Sequence, residues 1–136
     1  MKKSSIGVIV ASHGTLGEVL VETTGKILGH QTDLQPFSFL DGEEPKDSYQ
    51  RLQSLIKKCD KGSGVLILVD LFGGTPGSLA LSMLDDRQIE VVTGVNLPMT
   101  MTAATLDPKF DLHAASAAVV SAGSNSIKDA GRLLKQ

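Results

Sequence analysis

The residues best suited to chemistry stand where short apolar runs end. Ile6 to Ala11 is a run of apolar, partly β-branched residues without alternation, and Ser12-His13-Gly14 follows it directly. Such a run is typical of a parallel strand that is buried on both faces. A second run, Val65 to Val69, ends at Asp70. Because ligands of open α/β sheets bind outside the carboxyl ends of the strands, His13 and Asp70 are predicted to share one edge of a sheet.

An imidazole beside a carboxylate is a common arrangement for nucleophilic or acid–base catalysis. The carboxylate holds one ring N–H, fixes the tautomer and leaves the lone pair of the other nitrogen facing outwards. The alternative is that Asp70 caps the turn that follows it and that His13 is an ordinary hydrogen-bonded loop residue. The spacing of the two residues leaves both interpretations open.

The segment Gly73-Gly74-Thr75-Pro76 favours the catalytic interpretation. Two glycines allow backbone N–H groups to turn towards an anion, and the start of a following helix adds positive potential. Thr75 supplies a hydroxyl at the same place, and Gly14 adds a further flexible N–H beside His13. The segment is a candidate phosphate cradle opposite a candidate nucleophile, although tight turns use the same residue types.

No metal site is predicted from the remaining candidate ligands. His30 follows a predicted helix end, where it is expected to act as a cap, and His113 lies on a predicted helix. Cys59 stands alone at a lysine-rich helix end. None of the three has the His or Cys partner spacing that a zinc site needs.

Strand and helix patterns alternate from Ile6 to about Leu106, which predicts a parallel sheet with right-handed crossovers. Strands are predicted at Ile6–Ala11, Leu34–Leu40, Val65–Val69 and Ile89–Thr93. Helices are predicted from just after Gly14 to Leu28, from Pro45 or Asp47 to Lys58, over Ser78–Leu84 with a start near Pro76, and over Met99–Leu106 and Phe110–Ala122. The tail from Ser124 to Gln136 fits either a helix or a strand.

These elements predict one α/β domain over residues 1–136. It is a single doubly wound domain with a mainly parallel four-stranded sheet and helices on both faces. Whether an extra C-terminal strand is exchanged with a second copy stays open. Thr15 is the expected N-cap of the first helix, with Glu18 in the capping-box position and Gly29 as the C-cap. That helix would begin beside His13 and point its positive end at the site.

Composition indicates a cytoplasmic protein that binds no nucleic acid. The 136 residues are 41% hydrophobic and 21% charged, which is typical of a soluble globular domain. No apolar run approaches the ~20 residues of a membrane helix, and the run before His13 is shorter than the ~7–15 residues of a signal-peptide core. The single cysteine agrees with a reducing compartment. A net charge of −2 and an aromatic content of 4% offer neither a cationic field nor a stacking surface for nucleic acid.

Three motifs together resemble the mannose-family EIIA component of the bacterial sugar phosphotransferase system. They are Ser-His-Gly at 12–14, Leu-Val-Asp-Leu-Phe-Gly-Gly-Thr-Pro at 68–76 and Thr-Gly-Val-Asn-Leu-Pro at 93–98, and the likeness covers nearly the whole chain. It implies a phosphocarrier, with no cofactor, that accepts a phosphoryl group from phospho-HPr on His13 and passes it to an EIIB component. Asp70 matches the aspartate that hydrogen-bonds the histidine, and Thr75 matches a Ser/Thr at the phosphate.

The resemblance also implies a homodimer in which an element near the C-terminus is exchanged, and an association with membrane EIIC and EIID components only through EIIB. The chain departs from the family pattern at Phe72, where many relatives have tryptophan or leucine. It also ends without an EIIB domain, so its EIIB is expected to be a separate protein. The alternatives are a phosphocarrier subunit that serves a dihydroxyacetone-type kinase and a regulatory module that binds a phosphate or a nucleotide. The transported sugar, and whether transport or regulation is the main role, stay open.

Overall fold

Four parallel strands form the centre of the molecule in the computed structural model, which describes residues 3–71, 74–85 and 88–135. The strands are β1 (Gly7–His13), β2 (Gln35–Phe39), β3 (Val65–Val69) and β4 (Ile89–Thr93). They lie in the order β2-β1-β3-β4, and all three pairings are parallel. The prediction of a doubly wound α/β fold is therefore confirmed.

The chain reverses its direction of winding between β1 and β3. From β1 the chain moves outwards to β2, crosses back to β3 and then continues to β4 on the other side. This is the topological switch point, at which open α/β sheets bind their ligands. The register pairs Ala11 with Val69, the last residue of β3, so that β1 runs past β3 by the two residues Ser12 and His13.

Helices cover both faces of the sheet, as expected. The bounds are α1 (Leu16–Leu28), α2 (Pro45–Cys59), α3 (Gly74–Leu81), α4 (Leu97–Ala104), α5 (Leu112–Asn125) and α6 (Ala130–Leu134), and a short 3-10 helix occupies Ser82–Asp85. Among the described residues, no helix combines the length and the apolar character needed to cross a membrane.

Each face of the sheet has its own apolar core, because successive residues of a strand point to opposite faces. Ile9 and Ile67 join Leu52 of α2 and Ala80 of α3 on one face. On the opposite face, residues of β1 and β3 pack with residues of α4 and α5: Val8, Leu66, Leu68, Met99, Ala103 and Val119. All five residues of β3 are fully buried, so the strand that leads to Asp70 is enclosed by both cores.

Several predicted element bounds were wrong by a few residues, and capping explains two of them. Helix α4 begins at Leu97 rather than Met99, because the Asn96 side chain accepts the Met99 N–H at 3.2 Å. Helix α5 begins at Leu112 rather than Phe110, because the Asp111 side chain accepts the Ala114 N–H at 2.8 Å. A side-chain oxygen that satisfies an unpaired N–H of the first turn determines where a helix starts.

Other bounds shift at the carboxyl edge of the sheet and at the tail. Strand β1 continues to His13 instead of ending at Ala11, and α3 begins at Gly74 instead of near Pro76. The tail, which fitted either helix or strand in the sequence, contains α6. No residue of α6 is buried, so the tail of this single chain adds nothing to the described core.

The outer edge of β2 is covered by an arginine. Arg51 donates from Nη2 to the Ser38 carbonyl at 2.8 Å, which occupies a backbone acceptor of the edge strand. Its Nε and Nη2 also donate to the two carboxylate oxygens of Glu43, both at 2.7 Å. The hydrogen bond from Arg51, followed by that from Ser48, lowers the pKa of Glu43 to about 2. The β2 edge is therefore closed by a bidentate ion pair.

Candidate functional site

Asp70 binds His13 twice through one oxygen. Asp70 Oδ2 accepts the backbone N–H of His13 at 3.0 Å and lies 2.9 Å from Nδ1 of the same residue. The carboxylate is nearly buried, with 11% of its side chain exposed, whereas 53% of the imidazole is exposed. The two residues that the sequence placed at one sheet edge are thus in direct contact at the switch point.

The contact determines which ring nitrogen is free to react. An ionised carboxylate can only accept hydrogen bonds, so Nδ1 must carry the proton in the 2.9 Å contact. In the neutral imidazole, the lone pair is then on Nε2. The exposed ring therefore offers a nucleophilic nitrogen on the side away from Asp70.

The loop after His13 is held by Ser12. Ser12 is fully buried, and its Oγ accepts the Gly17 N–H at 2.7 Å and lies 3.4 Å from the Gly14 carbonyl oxygen. Gly14 adopts a left-handed conformation with a φ of +54°, which favours glycine. The chain can therefore turn sharply from β1 into α1.

The predicted capping box at the start of α1 was wrong. Thr15 is the N-cap residue, but its side chain makes no capping hydrogen bond, and Glu18 lies 3.4 Å from the Ser38 hydroxyl instead. Ser12 supplies the missing acceptor from the end of β1. The usual capping motif places the acceptor side chain on the N-cap residue itself, so it does not predict a cap by Ser12, five residues before Gly17. Gly29 does act as the C-cap, with a φ of +78°.

Gly17 is a second residue that the sequence reasoning missed. A Cβ atom at this position would lie 2.7 Å from the Val10 carbonyl oxygen and 3.1 Å from Ser12 Oγ. The first turn of α1 therefore packs directly on the backbone of β1, and only glycine fits this approach. The sequence signal for this close approach was the presence of a glycine in the first turn of a predicted helix.

The glycine-rich segment is described only in part. Gly73 and the side chain of Thr75 lie outside the described part of the chain. The backbone of Gly74 and Thr75 forms the start of α3, and α3 contacts both β1 and β3. The start of this helix thus follows Asp70 closely in the chain.

The third motif has a mainly structural role. Val95 donates its N–H to the carbonyl of Val69 at 3.0 Å, which ties the loop after β4 to the residue before Asp70. Asn96 caps α4 through Oδ1 and donates from Nδ2 to the Gly123 carbonyl at 3.3 Å. The motif therefore supports the end of β3 and joins α4 to α5.

The other histidines and the cysteine lie apart from this pair. His30 follows α1 and donates its backbone N–H to the Gly25 carbonyl at 3.2 Å, in agreement with the predicted capping role. His113 lies on α5, as predicted. Cys59 is buried at the end of α2, and desolvation raises the pKa of its thiol. Within residues 3–71, 74–85 and 88–135, no three His, Cys, Asp or Glu side chains are grouped as a metal site requires.

Comparison with known families identifies a match over most of the chain. Residues 7–120 match the model of the EIIA-man family, described as the PTS system fructose IIA component. The chain is 34% identical over 111 residues to the PTS system mannose-specific EIIAB component of Escherichia coli (strain K12). That alignment covers 79% of this chain but 34% of the relative, so the chain spans about a third of its length.

Shorter relatives and solved structures are matched more completely. The PTS system fructose-specific EIIA component of Bacillus subtilis (strain 168) is 33% identical over 102 residues, which cover 74% of this chain and 70% of that protein. The mannose/sorbose specific IIA subunit from Enterococcus faecalis superposes with a TM-score of 0.80 at 28% identity, covering 91% of this chain and 93% of that one. The PTS IIA protein associated with the fucose utilization operon from Streptococcus pneumoniae gives a TM-score of 0.82 at 26% identity, with coverage of 98% and 99%.

The close packing of α1 on β1 leads to a stability prediction. Gly17→Ala is expected to lower the free energy of unfolding by about 1–3 kcal/mol, because the new methyl group meets a backbone carbonyl that cannot move aside. Thr15→Ala is the matched control, since its exposed side chain caps nothing, and it is expected to stay within about 0.5 kcal/mol of the wild type. Urea unfolding measures both. Equal stability of the two variants would contradict the packing argument.

Proposed function

The chain belongs to the EIIA-man family, described as the PTS system fructose IIA component. From this premise we propose that it is a phosphocarrier component of a sugar phosphotransferase system and that His13 carries the phosphoryl group. One observation carries the assignment of the residue. A half-exposed imidazole is held at 2.9 Å by a nearly buried carboxylate at the switch point of the sheet. Residues 1–136 then form one phosphocarrier domain.

The reacting atom in this proposal is Nε2 of His13. Its lone pair attacks the phosphorus of a phosphohistidine donor, a new P–N bond forms, and the P–N bond of the donor breaks with its electron pair returning to the donor ring. The His13 ring becomes positively charged as the bond forms. Asp70 offsets that charge through Nδ1–H and keeps Nδ1 from competing as the nucleophile.

Anion support comes from the residues that the sequence motif supplies. We assign the hydroxyl of Thr75 and the N–H groups of Gly14, Gly73 and Gly74 to the phosphoryl oxygens, because charge develops on those oxygens during transfer. The start of α3 at Gly74 agrees with this assignment, since the first N–H groups of a helix lack partners within the helix. Transfer between two ring nitrogens of similar leaving ability requires no metal or cofactor.

The partners follow from the same chemistry. The donor is phospho-HPr, and the acceptor is an EIIB component that connects the chain to the membrane EIIC and EIID components without insertion of this chain. An imidazole with 53% of its surface exposed is open to both protein partners in turn. Such a carrier acts in the cytoplasm, where phospho-HPr is present.

The exposed tail supports a homodimer. Ile127, Leu133 and Leu134 are 78%, 57% and 82% exposed in the single chain. Apolar side chains at this exposure gain free energy when they are covered, at roughly 25 cal/mol per Å² of buried surface. We propose that residues 126–135 pack against a second copy, by exchange of the tail between subunits.

His13→Ala is expected to fold normally, because a half-exposed side chain at the end of a strand contributes little to packing, and to accept no phosphoryl group, because the proposed nucleophile is gone. The measurement is the acid-labile phosphate per chain after incubation with phosphoenolpyruvate and the general phosphotransferase components. His113→Ala is the matched control and should be labelled like the wild type. Labelling of His13→Ala would move the site to another histidine, and tight nucleotide binding by an unlabelled wild type would favour the regulatory module instead.

Asp70→Asn is expected to lower the rate of transfer from phospho-HPr by about 10²-fold or more. The asparagine amide can donate to Nδ1, which moves the proton to Nε2 and removes the nucleophilic lone pair. Rapid-quench measurement of the phosphorylated chain gives the rate, and circular dichroism checks the fold. Wild-type kinetics would mean that Asp70 only stabilises the loop.

A chain truncated after Asn125 is expected to be monomeric, while the full chain is a dimer at micromolar concentration. The cut preserves α5, which ends at Asn125, so circular dichroism should change little. The control combines Lys128→Ala with Arg132→Ala, which removes charge but no apolar surface from the tail and should stay dimeric. Sedimentation velocity distinguishes the species, and a monomeric full chain would refute the homodimer.

A further inference from the structure

We propose that Ser12 is a positioning residue for His13, whose hydroxyl keeps the imidazole in the orientation that Asp70 selects. The inference rests on the proposed role of His13 as the phosphorylated residue. In this role, Ser12 touches neither the phosphoryl group nor the reacting nitrogen. It acts through the backbone on both sides of His13.

The Ser12 hydroxyl joins three segments of the chain. It is fully buried at the end of β1, accepts the Gly17 N–H of α1 at 2.7 Å and donates to the Gly14 carbonyl at 3.4 Å. His13 lies between the residue that provides this hydroxyl and the residue that accepts from it. The backbone on either side of His13 is therefore connected by one side chain.

Packing by the described residues does not restrain the other side of His13. Gly14 has a positive φ, and among the described residues nothing lies within 4 Å of a Cβ atom built there. Glycine without packing neighbours has a wide choice of backbone angles. The hydrogen bonds of Ser12 are the described interactions that limit this choice, together with the bond from His13 N–H to Asp70.

A cap provided only for α1 would not need Ser12. Thr15, the N-cap residue, has a hydroxyl at the usual position, yet its side chain makes no capping bond. A cap drawn from Ser12 instead couples the start of the helix to the end of the strand. Because His13 N–H and Nδ1 share one acceptor oxygen, a rotation of the backbone at residue 13 disturbs both bonds together.

Loss of the hydroxyl should therefore change the imidazole itself. In Ser12→Ala, a fraction of the His13 rings is expected to leave Asp70, so that the fixed Nδ1–H tautomer gives way to a mixture. Misplacement of a reacting group by about 1 Å can cost about 10²-fold in rate. We accordingly expect transfer from phospho-HPr to slow by about 10- to 100-fold.

The test compares Ser12→Ala with Asp111→Ala in the full chain. Asp111 caps α5 through a 2.8 Å bond to the Ala114 N–H, so its loss also removes a helix cap but leaves the His13 loop intact. The ¹⁵N chemical shifts of the imidazole nitrogens, assigned to His13 by difference from His13→Ala, report the tautomer. Rapid-quench transfer from phospho-HPr reports the rate, and urea unfolding reports the loss of stability.

The expected result is a mixed tautomer and slow transfer in Ser12→Ala, with a wild-type tautomer and rate in Asp111→Ala. A wild-type tautomer in a folded Ser12→Ala chain would overturn the proposal, whatever its stability. If Ser12→Ala does not fold, Ser12→Cys carries the same test, because the thiol fills the space with a weaker hydrogen bond. The tautomer measurement needs no phosphoryl donor, so it decides the role of Ser12 even if the wild type proves unable to accept a phosphoryl group.

Discussion

The acceptance of two hydrogen bonds by a single oxygen of Asp70 is the interaction on which the site depends. The backbone N–H and Nδ1 of His13 lie 3.0 and 2.9 Å from that oxygen, and the two residues are 57 positions apart in the chain. A bond to the backbone positions the residue, and a bond to the ring orients its side chain and selects its tautomer. Both are possible only because β1 and β3 are neighbours and β1 is two residues longer at the carboxyl edge.

The architecture makes that interaction rigid. All five residues of β3 are buried between two cores, so the strand cannot shift without disturbing packing on both faces. The Val95 N–H holds the carbonyl of Val69, and the Asp70 N–H donates to the Ala11 carbonyl at 3.3 Å. The carboxylate is therefore presented from a fixed backbone, while the imidazole that it holds remains half exposed.

This combination suits a carrier that meets two protein partners. A phosphoryl group that must be received and then passed on needs a nucleophile at the surface, because an enclosed site would exclude the second partner. In the proposed carrier, the ring is oriented from the protein side, through Asp70 and the loop that Ser12 anchors. In the proposed transfer, the energetic role of the protein is to position one ring and to balance charge as the P–N bond forms.

The sequence by itself determined the class of fold and placed the two main candidate site residues at one edge of the sheet. Unalternated apolar runs and the strand–helix alternation predict a buried parallel sheet. Residues at the carboxyl ends of two such strands share an edge, so the placement of His13 and Asp70 at one edge followed from the pattern alone. The tertiary structure decided the adjacency of β1 and β3, the choice of nitrogen, and the replacement of Thr15 by Ser12 as the cap of α1. Gly17 belongs to the second group as well, since its need for glycine arises from the carbonyl of Val10 on another element. Sequence rules for caps and turns use residues that are close together along the chain. These features depend instead on distances between separate elements, which are set only when the elements pack together.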